Sequence, residues 1–398
     1  MKYQNLKKLF HIDEKKANEL YHNRYESESS RKLGIKIQDN ECFFIITEEI
    51  LNLIDNIYTI NSWIDKAFSS NELPESSKEY LIMKSMIEEI RSSNKIEGIY
   101  STRKELQEIV VDKHSDKYPR FYGMVKKYQI IIKEDFPILD SSSSIRNLYD
   151  EILLNDIIKE DKQDYPDGVI FRKNPVEISS GTHTIHQGIK SENLIIEMME
   201  KSLKTLNDDS INFLIRIAIF HYLFEYIHPF YTGNGRMGRF IACGYLSRSL
   251  NILCAFQLSS ACLHSSKQYY DAFDITNDIR NKADLTIFII NFLEIYSSGL
   301  IELKESMIHT SEVYKTHLNK LNRYINKEHL TLIKLLLEVS IFGTTGLTMD
   351  QLEKITHTSQ PTIRKTINTI NKQHIFIKKD STHKPYRYTV DLDLISSL

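Results

Sequence analysis

His228-Pro229-Phe230-Tyr231-Thr232-Gly233-Asn234-Gly235-Arg236-Met237-Gly238-Arg239 is the stretch on which the reading of this chain turns. It brings a histidine, a small-residue turn and two arginines together within a dozen positions. Glycine reaches backbone angles that other residues avoid, so Gly233-Asn234-Gly235 can turn its N–H groups inward. Where such a turn opens a helix, the first N–H groups lack internal partners and cradle an anion. Arg236 and Arg239 then lie one helical turn apart, on the side where phosphate oxygens would rest. His228 stands just before the cradle, placed to take a proton from an incoming hydroxyl. The residues describe a site that holds a polyphosphate and activates a nucleophile beside it. A helix-turn-helix corner with a buried histidine and solvated arginines is the plainer alternative, and the fixed spacing of all the pieces weighs against it.

The helix leading into this stretch is legible from its periodicity. Leu214, Ile217, His221, Phe224 and His228 recur at three- and four-residue steps and so share one face. A core-facing stripe that ends in His228 gives the imidazole a fixed direction. Pro229 stops the helix, because the residue before a proline is pushed out of the α region. Beyond the turn, Phe240, Ile241, Cys243, Gly244, Tyr245 and Leu246 continue as a mostly apolar helix, and their side chains belong to the core. His221 and Glu225 flank the stripe and are assigned structural roles.

The motif resembles the active-site signature of the Fic family, His-x-Phe-x-(Asp/Glu)-Gly-Asn-Gly-Arg-x-x-Arg. Every position matches except Thr232, where the family carries an acid. The resemblance implies that His228 is the general base for a target hydroxyl. It implies that Gly233, Asn234 and Gly235 wrap the α- and β-phosphates. Arg236 and Arg239, with Met237 and Gly238 between them, would hold the phosphate chain for in-line attack. The reaction implied is transfer of AMP from ATP to a Ser, Thr or Tyr of a target protein. A divalent metal, Mg²⁺ or Mn²⁺, is implied as well, and the family acid is one of its ligands. Magnesium prefers carboxylate, phosphate and water oxygens. With Thr232 the ligand set stays unassigned, and weak metal binding, a changed donor or a poorly active enzyme all stand open.

Two further segments agree with the family. Tyr269-Tyr270-Asp271-Ala272-Phe273-Asp274-Ile275-Thr276-Asn277 resembles the element that follows the motif, in which Tyr269, Tyr270 and Asn277 would border the adenosine. An amphipathic helix with Tyr269 and Phe273 in the core fits the same spacing. Upstream, Phe171-Arg172-Lys173-Asn174-Pro175-Val176-Glu177-Ile178-Ser179-Ser180-Gly181 resembles the β-hairpin flap, with Ile178, Ser179, Ser180 and Gly181 beside the target backbone. Pro175, the alternating Val176 and Ile178, and the Ser-Ser-Gly turn suit a short exposed hairpin.

Ser93-Asn94-Lys95-Ile96-Glu97-Gly98 is the second chemically loaded stretch. Ser93 and Glu97 share one helical face, and Gly98 is a natural helix stop. Alone this is an ordinary solvated pattern. Beside the motif it resembles the family's inhibitory signature, (Ser/Thr)-x-x-x-Glu-(Gly/Asn), in the subgroup whose inhibitory helix precedes the core. A carboxylate from Glu97 can pair with the guanidinium of Arg239. That pair would occupy the arginine needed for the γ-phosphate, leaving ATP an unproductive pose. Autoinhibition is expected.

At the other end, Leu330 to Leu337 reads as an apolar helix, and Thr348 caps a second one. Thr358 to Ile367 starts a third, with Pro361 tolerated in its first turn. Ile375-Phe376-Ile377 and Tyr386-Arg387-Tyr388-Thr389-Val390 alternate as two strands. The whole resembles a winged helix. From Arg364 through Lys365, Lys372, Lys378, Lys379 and Lys384 to Arg387, the opposing acid is Asp380. Such a one-sided surface suits phosphate contacts with DNA, and equally a homodimer or another protein contact, since charge alone reads no sequence.

Composition sets the outer bounds. With 398 residues, the chain has room for two or three domains. Thirteen glycines and eight prolines favour long helices over many tight turns. A net charge of -2 singles out no partner. Cys42, Cys243, Cys254 and Cys262 show no metal-type pairing and read as buried thiols in a reducing cytoplasm. Neither a signal-peptide core nor an uninterrupted apolar run of membrane-spanning length stands out, so no membrane partner is expected. The first 75 residues read as helical. The expected fold is mainly α. It comprises an N-terminal helical region with the inhibitory helix (1–110), a Fic-type core with a hairpin flap (111–298), a helical linker (299–328) and a winged helix (329–398). The expected function is an autoinhibited protein adenylyltransferase. Hydrolytic removal of AMP is the chemical alternative, and a DNA-binding regulator with a weakly active nucleotide-binding core is the alternative of another class.

Overall fold

The computed structural model describes residues 3–69, 74–111, 119–180, 183–373, 377–381 and 384–397. It is mainly α with three small antiparallel sheets, as the sequence implies. The chain divides into two compact units, Met1–Asn61 with Glu88–Ile301, and Ser62–Ile87 with Glu302–Leu398. Gly181, assigned to the flap, and Ile375 and Phe376, assigned to a strand, lie outside the described residues.

The first unit opens with α1 (Leu6–Ile12) and α2 (Glu14–Tyr25), each capped by a side-chain oxygen, Asn5 and Asp13. The helical reading of the first 75 residues fails at the next segment. Ser30–Ile37 forms β1 and Asn40–Ile45 forms β2, paired antiparallel. The physical reason is a two-residue turn. Gln38 and Asp39 both have positive φ, 49° and 68°, the geometry whose twist matches that of paired strands. Ile35 and Ile37 point inward at a period of two, with Gly34 and Lys36 exposed between and beside them. Next come α3 (Glu48–Ser69) and α4 (Glu75–Ile96), each of which contributes residues to both units, and α5 (Arg103–Val111). Then follow α6 (Tyr122–Ile132), α7 (Ser142–Tyr149), a π-helical turn over Asp150–Leu154, and α8 (Asn155–Glu160). The polar Ser141–Ser144 break is a capping box that starts α7.

Glu177–Ser180 and His183–Gln187 pair as β3 and β4, the hairpin. Four helices then form the heart of the unit: α9 (Glu192–Leu206), α10 (Phe213–Ile227), α11 (Asn234–Leu246) and, after the short α12 (Ile252–Ala255), α13 (Leu258–His264). Helices apolar on all sides must be buried on all sides. Accordingly α10 is buried along nearly its whole length, and every residue of α11 is buried. After α14 (Ser266–Thr276) comes α15 (Thr286–Tyr324), which contributes residues to both units. Helix α15 is long and apolar enough to cross a membrane by length and composition, yet 61% of its most apolar window is buried inside the protein, as in a core helix.

In the second unit α16 (Leu330–Phe342) is an apolar helix, followed by β5 (Leu347–Thr348), α17 (Met349–Thr356) and α18 (Gln360–Gln373). Thr348 and Gln351 form a capping box at the start of α17. Ile363, Ile367 and Ile370 give α18 one buried face. Strands β6 (Ile377–Asp380) and β7 (Arg387–Val390) complete a sheet in the order β5-β7-β6, and α19 (Leu392–Ser396) closes the chain.

Candidate active site

Helix α10 delivers His228 to its C-terminus in a left-handed conformation, φ 52° and ψ 64°. Few side-chain-bearing residues adopt it. Here it turns the chain out of the helix before Pro229. Gly233, with φ 80°, is the N-cap of α11, so the turn read from Gly233-Asn234-Gly235 is one left-handed glycine followed by the first helical turn. Asn234 closes the loop from within: its Oδ1 accepts from Phe230 N–H at 3.0 Å and its Nδ2 donates to Phe230 O at 2.9 Å. Phe230 is held in turn by a stacked Tyr149, ring centroids 3.6 Å apart, and by the edge of Phe171. Tyr149 also donates to the carbonyl of Thr232 at 3.2 Å. The loop between His228 and Gly233 is therefore rigidly packed.

The two arginines of α11 meet different surroundings. Both are almost fully buried. Arg239 donates through Nη2 to Glu97 Oε1 at 2.9 Å and to Ser93 O at 3.0 Å, and through Nε to Ser93 Oγ at 3.1 Å. Burial is the largest single influence and lowers its pKa, but Glu97, Tyr269 and Glu225 together outweigh burial and raise it. For Arg236 burial lowers the pKa, and its buried Nε has no hydrogen-bond partner among the described residues. A buried guanidinium with an unmet donor is costly unless an anion complements it.

Glu97 is delivered by the end of α4. Gly98 N–H donates to Lys95 O at 3.1 Å and Ile99 N–H to Asn94 O at 2.9 Å, with Gly98 at φ 71°. This is a Schellman ending, and it leaves Glu97 as the last residue before the left-handed glycine. A Cβ added to Gly235 would lie 2.1 Å from Glu97 Oε1, so the carboxylate rests against the first turn of α11. A protein carboxylate thus sits at the helix N-terminus, where the dipole and free N–H groups favour an anion.

The residues expected to border adenosine have other partners in this structure. Tyr269 is buried, its hydroxyl 2.8 Å from His221 Nε2, and Asn277 Oδ1 accepts from Tyr222 OH at 2.8 Å. Tyr270 is partly exposed against the Tyr269 ring. Burial, helped by Arg239, pushes His221 down to about 3, so its imidazole is neutral. Burial, helped by Glu97, pushes Glu225 up to about 8. Of the flap residues, the backbones of Ile178, Ser179 and Ser180 lie in β3, opposite His186, Thr184 and His183. Among the described residues no three His, Cys, Asp or Glu side chains gather as a metal site, and Thr232 brings a neutral hydroxyl. The protein side chains present do not by themselves fit a held divalent ion.

Three residues that hold these elements in place escaped sequence reading. Tyr149 and Glu89 carry no local motif. Arg172 stood inside the quoted flap segment without a role, yet it donates to the carbonyl of His228 at 2.8 Å.

Residues 141–246, which hold the motif and the helices that carry it, match the Fic/DOC family. The chain contains a Fic/DOC family domain. Domains of this family are generally transferases that move nucleotide-derived groups onto proteins. Among solved structures the chain is similar to a Fic family protein from Desulfovibrio desulfuricans, at 20% identity over 87% of this chain and 97% of that one, TM-score 0.51. That likeness concerns the fold. It is also similar to a Fic-domain-containing signaling protein from Bacteroides thetaiotaomicron (20% identity, 67% and 97% coverage, TM-score 0.45). A third similar structure is Fic-1 from C. elegans (16% identity, 65% and 73% coverage, TM-score 0.44).

Proposed function

We propose that the protein is an autoinhibited adenylyltransferase that moves AMP from ATP to a hydroxyl of a target protein. One observation carries the reading: at the N-terminus of α11, Arg236 is buried with an unmet donor while Arg239 is held by the protein's own carboxylate, Glu97. A site built for anions is here partly filled by an internal one. With Glu97 withdrawn, the first turn of α11 and the two arginines hold the phosphates. His228 takes the proton of the target hydroxyl, whose oxygen attacks the α-phosphorus. The bond from that phosphorus to the bridging oxygen breaks, and pyrophosphate leaves. A divalent metal would enter with the nucleotide, held chiefly by phosphate and water oxygens, and would neutralise phosphate charge. None of the four cysteines forms a disulfide among the described residues, and all four are buried, which suits a cytoplasmic location.

The test uses Glu97→Gly protein with ATP labelled in the α-phosphate, and separately in the γ-phosphate, with Mg²⁺ or Mn²⁺. Charge-assisted pairs contribute about 1.5–3 kcal/mol, so self-labelling should rise by about one to two decades over wild type. Arg239→Ala should cancel the gain. Absence of α-label, or label from the γ-phosphate alone, overturns the reading. Loss of an AMP-removing activity in Glu97→Gly would promote the hydrolytic alternative, in which Glu97 places a water.

A second activity of the same chain is favoured by α18. Its exposed face carries Arg364, Lys365 and Lys372, opposite the buried isoleucines. We read the second unit's C-terminal part as a winged helix whose basic face contacts DNA phosphates.

A further inference from the structure

We infer that Arg172 is a positioning residue that locks the catalytic histidine to the feet of the flap hairpin. The inference rests on the reading of His228 as the base. Arg172 has no exposed surface at all. Its Nε donates to His228 O at 2.8 Å, and Nη2 reaches Ile227 O at 3.4 Å. Its Nη1 donates to Asn174 O at 2.6 Å and to Ile189 O at 2.9 Å. Its own backbone N–H donates to Pro229 O at 3.2 Å. Asn174 precedes β3 and Ile189 follows β4, so one guanidinium joins both ends of the hairpin to the end of α10.

The cost of this arrangement points to its purpose. Among the described ion pairs none involves Arg172, and burial holds its pKa down at about 10. A buried cation without a counter-charge is expensive, and the plain way to finish a helix is water or a glycine. Here the last carbonyls of α10, at the negative end of its dipole, take the charge. Only a rigid planar fork can meet four carbonyls from three segments at once. Those segments are the ones that carry the base and the hairpin along which a target chain would lie. The left-handed turn at His228, unfavourable for a side-chain-bearing residue, is thereby held from its carbonyl side. Gly188 completes the device. Its N–H closes the hairpin foot on Val176 O at 2.9 Å, and a Cβ there would come 2.5 Å from Arg172 Nη2.

Gly188→Ala therefore displaces the guanidinium without removing it, and is a second probe should Arg172→Met fold poorly. Both variants are made in full-length Glu97→Gly protein and assayed with α-labelled ATP. Misplacing the base by about 1 Å should lower self-labelling roughly 10²-fold while the Kd for ATP changes by less than about twofold. Arg172→Lys should not restore the rate, because an ammonium lacks the fork. Amide exchange at Gly188 and His228 should rise together in Arg172→Met. An unchanged rate, full rescue by lysine, or a rate that falls only in step with ATP affinity and Tm would overturn the inference. If Glu97→Gly itself transfers no label, the transfer reading fails. The exchange experiment still decides the arginine, and exchange that rises at one amide and not the other rejects it.

Discussion

His228 and Thr232 are four positions apart, and each bears a separable burden. The histidine ends α10 with its backbone turned out of the helix, while the groups proposed to bind the phosphates belong to α11 and its N-cap Gly233. On the proposed function, base and phosphate site are thus different elements. His228→Ala should abolish transfer, with a loss of about 10²–10⁴-fold, and leave ATP binding close to wild type. Transfer at the wild-type rate by purified His228→Ala would remove the histidine from the chemistry. Thr232 has its carbonyl tied to Tyr149 OH, so the backbone there is held and its side chain can be changed. Thr232→Asp adds a carboxylate, the donor magnesium prefers, two residues before the first residue of α11. The Mg²⁺ concentration for half-maximal self-labelling should fall in the Glu97→Gly background. An unchanged or higher requirement would mean that this position does not limit metal use. The residues that a sequence can display are those whose meaning is local, as in His228 to Arg239. Tyr149 and Arg172 act across 83 and 56 positions, and no spacing rule reaches that far.

Among elements, α4 shows both what was legible and what was not. Ser93, Glu97 and Gly98 could be read together because one helical face and one stop residue relate them. The anchor that seats the helix could not. Glu89 is fully buried, and its carboxylate accepts from Ser259 N–H at 2.7 Å and Ser259 Oγ–H at 2.5 Å, at the start of α13. Burial pushes its pKa up to about 7, against the opposing pull of these bonds and of Arg239. An unfolded glutamate loses its proton near its ordinary value, about 4.3, whereas the folded one keeps it to about 7. Between those values the folded state binds more protons, so this stabilisation is whole below the lower pKa and is lost as pH rises through the upper one. Glu89→Gln keeps an acceptor oxygen and removes the titration. Its Tm should fall less than that of wild type between pH 5 and pH 8; parallel Tm curves would show that Glu89 is not the group responsible. Glu225, raised to about 8, is present in both proteins and does not enter the difference. The hairpin β1–β2 was hidden for another reason. Its signal is a period of two over three residues, Leu33, Ile35 and Ile37, set between two helices. So short an alternation is outweighed by the helical periodicity around it.

At the scale of the whole chain, a unit that holds the Fic/DOC match and a smaller unit with a basic helix are present in one polypeptide, and the total net charge conceals the difference. The total of -2 gives no hint of a nucleic-acid partner, because opposite charges average over 398 residues. The distribution on α18 is more telling. Ile363, Ile367 and Ile370 are buried, while Lys365 and Lys372, seven apart, share an exposed face. Other basic residues nearby are partly spent: Lys378 pairs with Asp391 at 2.8 Å, and Arg387 donates to Thr345 Oγ1 and Gly346 O. The two lysines of α18 are therefore the better phosphate ligands. The full-length protein should bind a mixed-sequence DNA duplex with an affinity that falls steeply as salt rises. Lys365→Ala/Lys372→Ala should weaken binding evenly across sequences and reduce the salt slope by about 1 for each phosphate no longer neutralised. Lys378→Ala should change the slope less, since Asp391 already neutralises that ammonium. Fluorescence anisotropy at several salt concentrations reads all three. No binding at low salt would reject DNA as the partner, and would leave this face to a second copy of the chain or to another protein. Binding with an unaltered slope in the double variant would instead move the DNA-binding face off α18.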